Sequence, residues 1–140
     1  MQDERAYFSS FIHHGNLDVQ RLCLTRIQSI LSEQVHDEEF IMWCLPLVVL
    51  CIGLCPSLTI LSCSILDSII AIGPYIDLVV SVLSTAKEKI HFLVDSLDCL
   101  DLAIQLIATE AGFVLFKDSD DLISVLFDSF MVDLLPMSYA

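Results

Sequence analysis

Apolar residues recur along this chain at intervals of three and four, and no stretch alternates cleanly between apolar and polar positions. The pattern predicts helices throughout. From Leu17 to Glu33, the residues Val19, Leu22, Cys23, Ile27, Ile30 and Leu31 share one helical face, and Asn16 is placed to cap the free amides of the first turn. A second helix opens at Asp37, where Glu38 and Glu39 suit the positive helix end; Pro46 predicts a kink or restart, and Gly53 a stop. A third runs from about Ser57 to Ile72 and ends at Gly73-Pro74. Tyr75 to Leu83 reads as a short helix. Thr85-Ala-Lys-Glu88 has the form of a capping box, and predicts one long helix to about Ala108 with the stripe Ile90, Leu93, Val94, Leu97, Leu100, Ile104 and Ile107. A loop is expected around Gly112, and a further helix after Ser119. Upstream, His13-His14 closes a first helix before Gly15-Asn16.

The three longer helices superpose on a shift of 42 residues and then of 28. Cys23, Ile65 and Leu93 coincide, as do Leu24, Leu66 and Val94; Ile27, Ile69 and Leu97; and Ile30, Ile72 and Leu100. Two copies share a phrase, Leu66-Asp-Ser-Ile69 and Val94-Asp-Ser-Leu97, and shorter helices carry Leu47-Val-Val49 and Leu78-Val-Val80. A short helix followed by a long one, recurring at this spacing, is the signature of an α-solenoid. A plain helical bundle obeys the same packing rules and is the other architecture open at this point. The expected fold class is all-α, an armadillo/HEAT-like solenoid of short and long helix pairs, with residues 1–140 as a single helical-repeat domain.

Composition narrows the function. Of 140 residues 56% are hydrophobic, too many for a disordered acidic tail, and the net charge is −13. The six basic residues are too few and too scattered to grip nucleic-acid phosphates, and an anionic lipid surface would repel this chain. A partner met through charge should be basic. The run Phe40–Leu66 lacks any charge and is long enough to span a bilayer. Pro46, Gly53 and Pro56 interrupt it, and its flanks are acidic (Asp37, Glu38, Glu39, Asp67) with no basic anchor. Two short helices joined by a Cys-Pro-Ser turn explain it better; a small membrane-inserted helical protein is the alternative from another class. All six cysteines lie in apolar runs without CxxC spacing, so at least four buried, unbridged thiols are expected, which places the chain in the reducing cytoplasm. Met1 to Arg5 is polar and acidic with no apolar stretch after it, so no secretory signal is expected.

Two stretches carry a family resemblance. Thr109-Glu-Ala-Gly112, then Leu115-Phe116, Asp120-Asp121-Leu122 and Ser124-Val125, resembles the link between two armadillo repeats. More narrowly it is similar to the proteasome assembly chaperones of the non-ATPase regulatory subunit 5 family. Leu22-Cys23-Leu24 with Ile27 and Ile30-Leu31 resembles an early helix of that family, and the likeness covers most of Phe8 to Phe127. It implies a helical solenoid that binds an ATPase subunit of the proteasome regulatory base and delays premature assembly. Members of the family are several times longer, which implies that 1–140 is a fragment or a truncated form. A generic armadillo or HEAT adaptor with another client is the nearest alternative.

No catalytic or cofactor-binding motif emerges. Asp95, Asp98 and Asp101 line up at i, i+3, i+6 opposite most of the core stripe, and Asp67 is the preceding copy's counterpart of Asp95. They are the candidate protein-binding residues: an acidic ladder facing a basic partner, set against the plainer reading of a solvated helix face. Asp118-Ser119-Asp120-Asp121 lacks the central Gly and final Glu of a calcium loop and reads as a helix start. The histidines His13, His14, His36 and His91 are scattered, so no metal site is expected, and no small-molecule substrate. Trp43, with Phe40 and Met42, should anchor the second helix in the core, or serve as a contact hot spot at an exposed terminal repeat.

Overall fold

The Asn16 side chain accepts from the amides of Asp18 (2.9 Å) and Val19 (3.2 Å), so the chain turns into a helix where the sequence places a cap. The computed structural model describes residues 2–13, 15–33, 38–94 and 97–117. Among them are eight α-helices: α1 (Gln2–Ile12), α2 (Leu17–Ser32), α3 (Glu38–Leu50), α4 (Pro56–Ile72), α5 (Ile76–Ser84), α6 (Ile90–Val94), α7 (Leu97–Ile107) and α8 (Glu110–Phe116), with a 3-10 turn at Lys87–Lys89. The described residues contain no strand, and the fold class is all-α.

The helices lie in two rows. In one, α2 packs on α4 and α4 on α7. Side chains bridge the first pair from Arg21 to Ser57 and from Gln28 to Ser64, both 36 residues apart. They bridge the second from Cys99 to Thr59 and from Gln105 to Asp67, 40 and 38 residues apart. Sequence number rises together on both sides of each seam, so α2, α4 and α7 run parallel. In the other row Phe8 of α1 meets Trp43 of α3 at a ring-centroid distance of 6.0 Å, α3 packs on α5, and α5 on α8. The core between the rows is continuous from Phe8 and Ile12 to Leu106 and Phe116.

The aligned positions of the long helices are buried wherever they are described, except for half-buried Ile72; the side chains of Val94 and Leu97 lie outside the described set. The spacing differs from the sequence reading. Side-chain bridges set neighbouring members of the row 36 to 40 residues apart, where pattern matching gave 42 and then 28. The shift of 28 would pair Ile65 with Leu93, whereas the bridges pair Thr59 with Cys99 and Asp67 with Gln105. Thr85 Oγ1 donates back to the Val82 carbonyl (2.6 Å) at the end of α5, Ala86 takes the cap position with no side-chain cap bond, and α-helix resumes only at Ile90, after the 3-10 turn.

Two other junctions also differ from expectation. Of the kink or restart expected at Pro46, the restart does not occur: α3 is one helix from Glu38 to Leu50 with Pro46 inside it. Pro46 and Met42 are both exposed, so the helix position that lacks the Pro46 amide lies on its outer face. Gly112 lies inside α8. The turn is at Thr109, whose hydroxyl donates to the Leu106 carbonyl (2.7 Å) and accepts from the Gly112 amide (3.0 Å). A Cβ at Gly112 would collide with that same carbonyl, so glycine lets α8 leave α7 at 120°.

The charge-free run divides as expected, into α3 and α4, with Pro56 in the first turn of α4. Gly53 makes the turn at φ +88°, its amide donates to Thr59 Oγ1 (2.8 Å), and a Cβ there would sit 2.5 Å from Phe92 Cε2. Lys89 closes the end of α3 by donating to the carbonyls of Leu50 (3.1 Å) and Ile52 (2.6 Å). Among the described residues no single helix is long and apolar enough to cross a membrane; α7 and α8 reach that length only together, across their 120° bend.

Two stability predictions follow from this packing. Ile69→Ala should lower the unfolding free energy by about 2–5 kcal/mol, because Ile69 is fully buried on α4, the middle helix of its row. Gly53→Ala should lower it by about 1–3 kcal/mol, the range for overpacking, since both the backbone angle and the Phe92 ring oppose a methyl there. Urea denaturation measures both, and losses below about 0.5 kcal/mol, typical of surface sites, would contradict the packing described.

Candidate functional site

The outward face of the α2–α4–α7 row is built from polar side chains that the core stripes leave over. On α7, Cys99, Leu102, Ala103 and Leu106 are buried, and Asp98, Asp101 and Gln105 are exposed on the opposite side. On α4, Leu58, Ile65, Leu66 and Ile69 face the core, and Ser57 and Ser64 are exposed beside half-buried Asp67 and Ser68. On α2, exposed Arg21 pairs with Asp18 at 3.2 Å and also reaches Ser57 Oγ at 3.0 Å.

The acidic candidates are not equivalent. Asp98 and Asp101 are exposed on α7. Asp67 is half-buried at the α4–α7 seam, where it accepts from Gln105 Nε2 at 3.0 Å. Burial raises its carboxyl above the usual aspartate range, and the charge of Asp101 adds to that rise, while the Gln105 hydrogen bond opposes it. The structure therefore brings Asp67 and Asp101 into one electrostatic neighbourhood on adjacent helices. Asp95 lies outside the described residues. Pattern reading missed the polar bridges Arg21–Ser57, Gln28–Ser64 and Gln105–Asp67. A signal existed: long and short polar residues recur 36 to 38 positions apart on otherwise apolar helices.

Parallel packing adds a second negative element. Each helix carries a partial negative charge at its C-terminus, and in a parallel row these ends fall on one edge. None of α2, α4 and α7 has a basic residue in its last turn to offset it. A shallow groove of about 630 Å³ opens between the C-terminal halves of α2 and α4, lined by Thr25, Gln28, Ser32, Ser68 and Ile72 among others.

The remaining features have other chemistry. All six thiols are unbridged, five of them buried and Cys55 half-buried. Cys51 and Cys55 do not share a helix face; they straddle the Gly53 turn. Burial pushes the Cys51 thiol up to about 11, whereas the Ser57 hydroxyl and the backbone amides of Leu58 and Ser57 hold Cys55 below the ordinary thiol value. Among the described residues no group of three His, Cys, Asp or Glu side chains is placed to hold a metal ion. Trp43 is half-buried against buried Phe40 and Phe8, as expected of an anchor, but Met42, expected to anchor with them, faces outward and is exposed. Exposed Phe11 and Leu22 flank an apolar groove between α1 and α2.

No protein-family model matches the chain, and neither curated proteins nor solved structures include one that matches it.

A pH dependence follows from Asp67. A carboxyl with a raised value in the folded chain holds its proton more tightly there than in the unfolded chain. Its ionisation therefore costs stability as pH rises through the window just above the ordinary aspartate value. Asp67→Asn, which still presents an oxygen to Gln105, should flatten that decline. Urea midpoints measured across the acid range test this, and an unchanged slope would show that Asp67 is fully solvated.

Proposed function

We propose that this chain is a non-enzymatic, protein-binding helical-repeat protein of the armadillo/HEAT kind. Its client is an ATPase subunit of the proteasome regulatory base, bound during assembly in the cytoplasm. The observation that carries the reading is the parallel row α2–α4–α7 with its recurring separation of 36 to 40 residues. Stacked equivalent helices present an extended surface, the kind through which solenoids bind proteins. The Thr109-Glu-Ala-Gly112 turn supports the likeness to a link between armadillo repeats, because it joins α7 and α8 through a capped, sharp bend.

The docking surface is the outward face of α4 and α7 with the C-terminal edge of the row. Asp67, Asp98 and Asp101 give it negative charge, the unopposed helix ends add to it, and a net charge of −13 extends the field. A basic segment of the client docks there. Nucleic acid, small-molecule substrates and cofactors have no part in this reading.

Binding of the purified chain to purified base ATPase subunits tests it. The wild type should associate with one of them, and faster at low salt than at high. The double variant Asp98→Asn, Asp101→Asn should slow association by roughly threefold to tenfold at low salt and flatten the salt dependence, because exposed charges act mainly on encounter. Its fold should persist, since exposed carboxylates contribute little to stability. Binding with an unchanged salt slope would make the acidic positions a solvated face only. A failure to bind any base ATPase, with another protein captured in its place, would favour the adaptor reading.

A further inference from the structure

Cys63 on α4 and Cys99 on α7 are buried to 1% and 0% exposure, and the Cys99 side chain is close enough to help raise the Cys63 thiol. A separate contact fixes their level. Cys99 Sγ lies 3.9 Å from the Thr59 carbonyl and donates to it. In an α-helix the carbonyl of residue 59 is the acceptor for the amide of residue 63, so the Cys99 sulfur is seated against the turn that carries Cys63. Further along the same seam the Gln105–Asp67 hydrogen bond holds the two helices in register. Cys44, by contrast, donates within its own helix, to the Ile41 carbonyl at 3.5 Å.

We propose that Cys63 and Cys99 form a redox-responsive pair that closes to an α4–α7 disulfide on reaction with a small-molecule disulfide such as oxidised glutathione. One cysteine loses its proton to solvent, and its thiolate attacks the small disulfide. The small disulfide's S–S bond breaks, one small thiol leaves, and a mixed disulfide forms. The second cysteine, as its thiolate, attacks the protein sulfur of that mixed disulfide and expels the second small thiol. Two cysteine thiols are oxidised, and one small disulfide is reduced to two thiols. A disulfide has a short reach and needs its cysteines on facing turns of the two helices, the placement that the Cys99–Thr59 contact sets.

Burial also sets the rate. Desolvation raises the Cys63 thiol far above its ordinary value, so the attacking thiolate forms only when α7 separates from α4. The closed seam protects the pair, and opening exposes it. The bridge then fixes two helices of the row and constrains the unfolded chain, which raises stability.

The test is to incubate the full chain with oxidised glutathione under native conditions, quench with acid, then denature, alkylate and map the peptides. Cys63 and Cys99 should both leave the alkylatable set of six, with a linked peptide joining them within one chain, whatever mixed disulfide forms at the more accessible Cys55. The thermal midpoint should rise, and a reductant should return it. Urea below the unfolding transition should speed closure. Cys99→Ala should lose both the bridge and the midpoint shift, while Cys44→Ala should keep them. The map of the unsubstituted chain decides the matter even if Cys99→Ala does not fold. Free, alkylatable Cys63 and Cys99 after oxidation would overturn the proposal, as would bridges spread evenly over other pairs or joining two chains.

Discussion

The parallel alignment of α2, α4 and α7 is the constraint on which the rest depends. Antiparallel neighbours offset each other's dipoles, and parallel ones stack like ends together. The row is held instead by apolar burial beneath it, where Leu24, Ile27, Ile65, Leu66, Ile69 and Leu102 are all at 0% exposure. The hydrogen bonds across its outward face are mostly between neutral groups, as at Gln28–Ser64, or include one charged partner, as at Arg21–Ser57 and Gln105–Asp67. Such bonds contribute little net stability each, but they penalise a helix that slips by one turn, because slippage strands every partner at once. Burial thus supplies the energy of the row, and the polar bridges supply its register.

Parallel neighbours also demand long returns, because the chain must travel back before it can lay down the next member. The second row is that return path, and its tight points explain the residues found there. Gly53 turns the chain from α3 into α4 against the Phe92 ring, and Lys89 reaches back from the 3-10 turn to the carbonyls that end α3. Lys89 is half-buried, its stem packed in the fold and its ammonium placed on two acceptors. A basic side chain thereby closes the negative end of α3, while the corresponding ends of α2, α4 and α7 have none in the last turn.

Much of this was legible in the sequence, because helical periodicity and capping are local. Asn16, the α3–α4 division and most of the α2 stripe follow from residues within a turn or two of one another, although Leu22, expected on that stripe, is exposed and buried Gln20 was not foreseen. What was illegible is what depends on competition between local options. Thr85 can cap the helix that follows or bond back to the helix before it, and the sequence motif is the same in both cases. Gly112 can mark a loop, or a helix that must pass close to a carbonyl, and only the neighbour decides. The repeat spacing failed for the same reason: matching apolar positions tolerates any shift that preserves the stripe, whereas Gln28–Ser64 and Gln105–Asp67 fix one.

Of the acidic residues, the sequence placed Asp98 and Asp101 on one face of a helix, but could not separate them from Asp67. The difference is environment. An exposed carboxylate is screened and adds to a field; a half-buried one is bound by a specific donor and responds to its neighbours. Asp67 is raised by burial and by Asp101, so a cation approaching Asp98 and Asp101 would also ease the ionisation of Asp67. Charge on the exposed positions and the strength of the seam beneath them are thereby linked. A basic partner on this face would stabilise the α4–α7 contact as it binds, and that contact is the one that also encloses Cys63 and Cys99. Surface electrostatics, helix register and thiol protection meet on one seam because parallel packing puts the sulfurs, the amide and the carboxylates on successive turns of the same two helices.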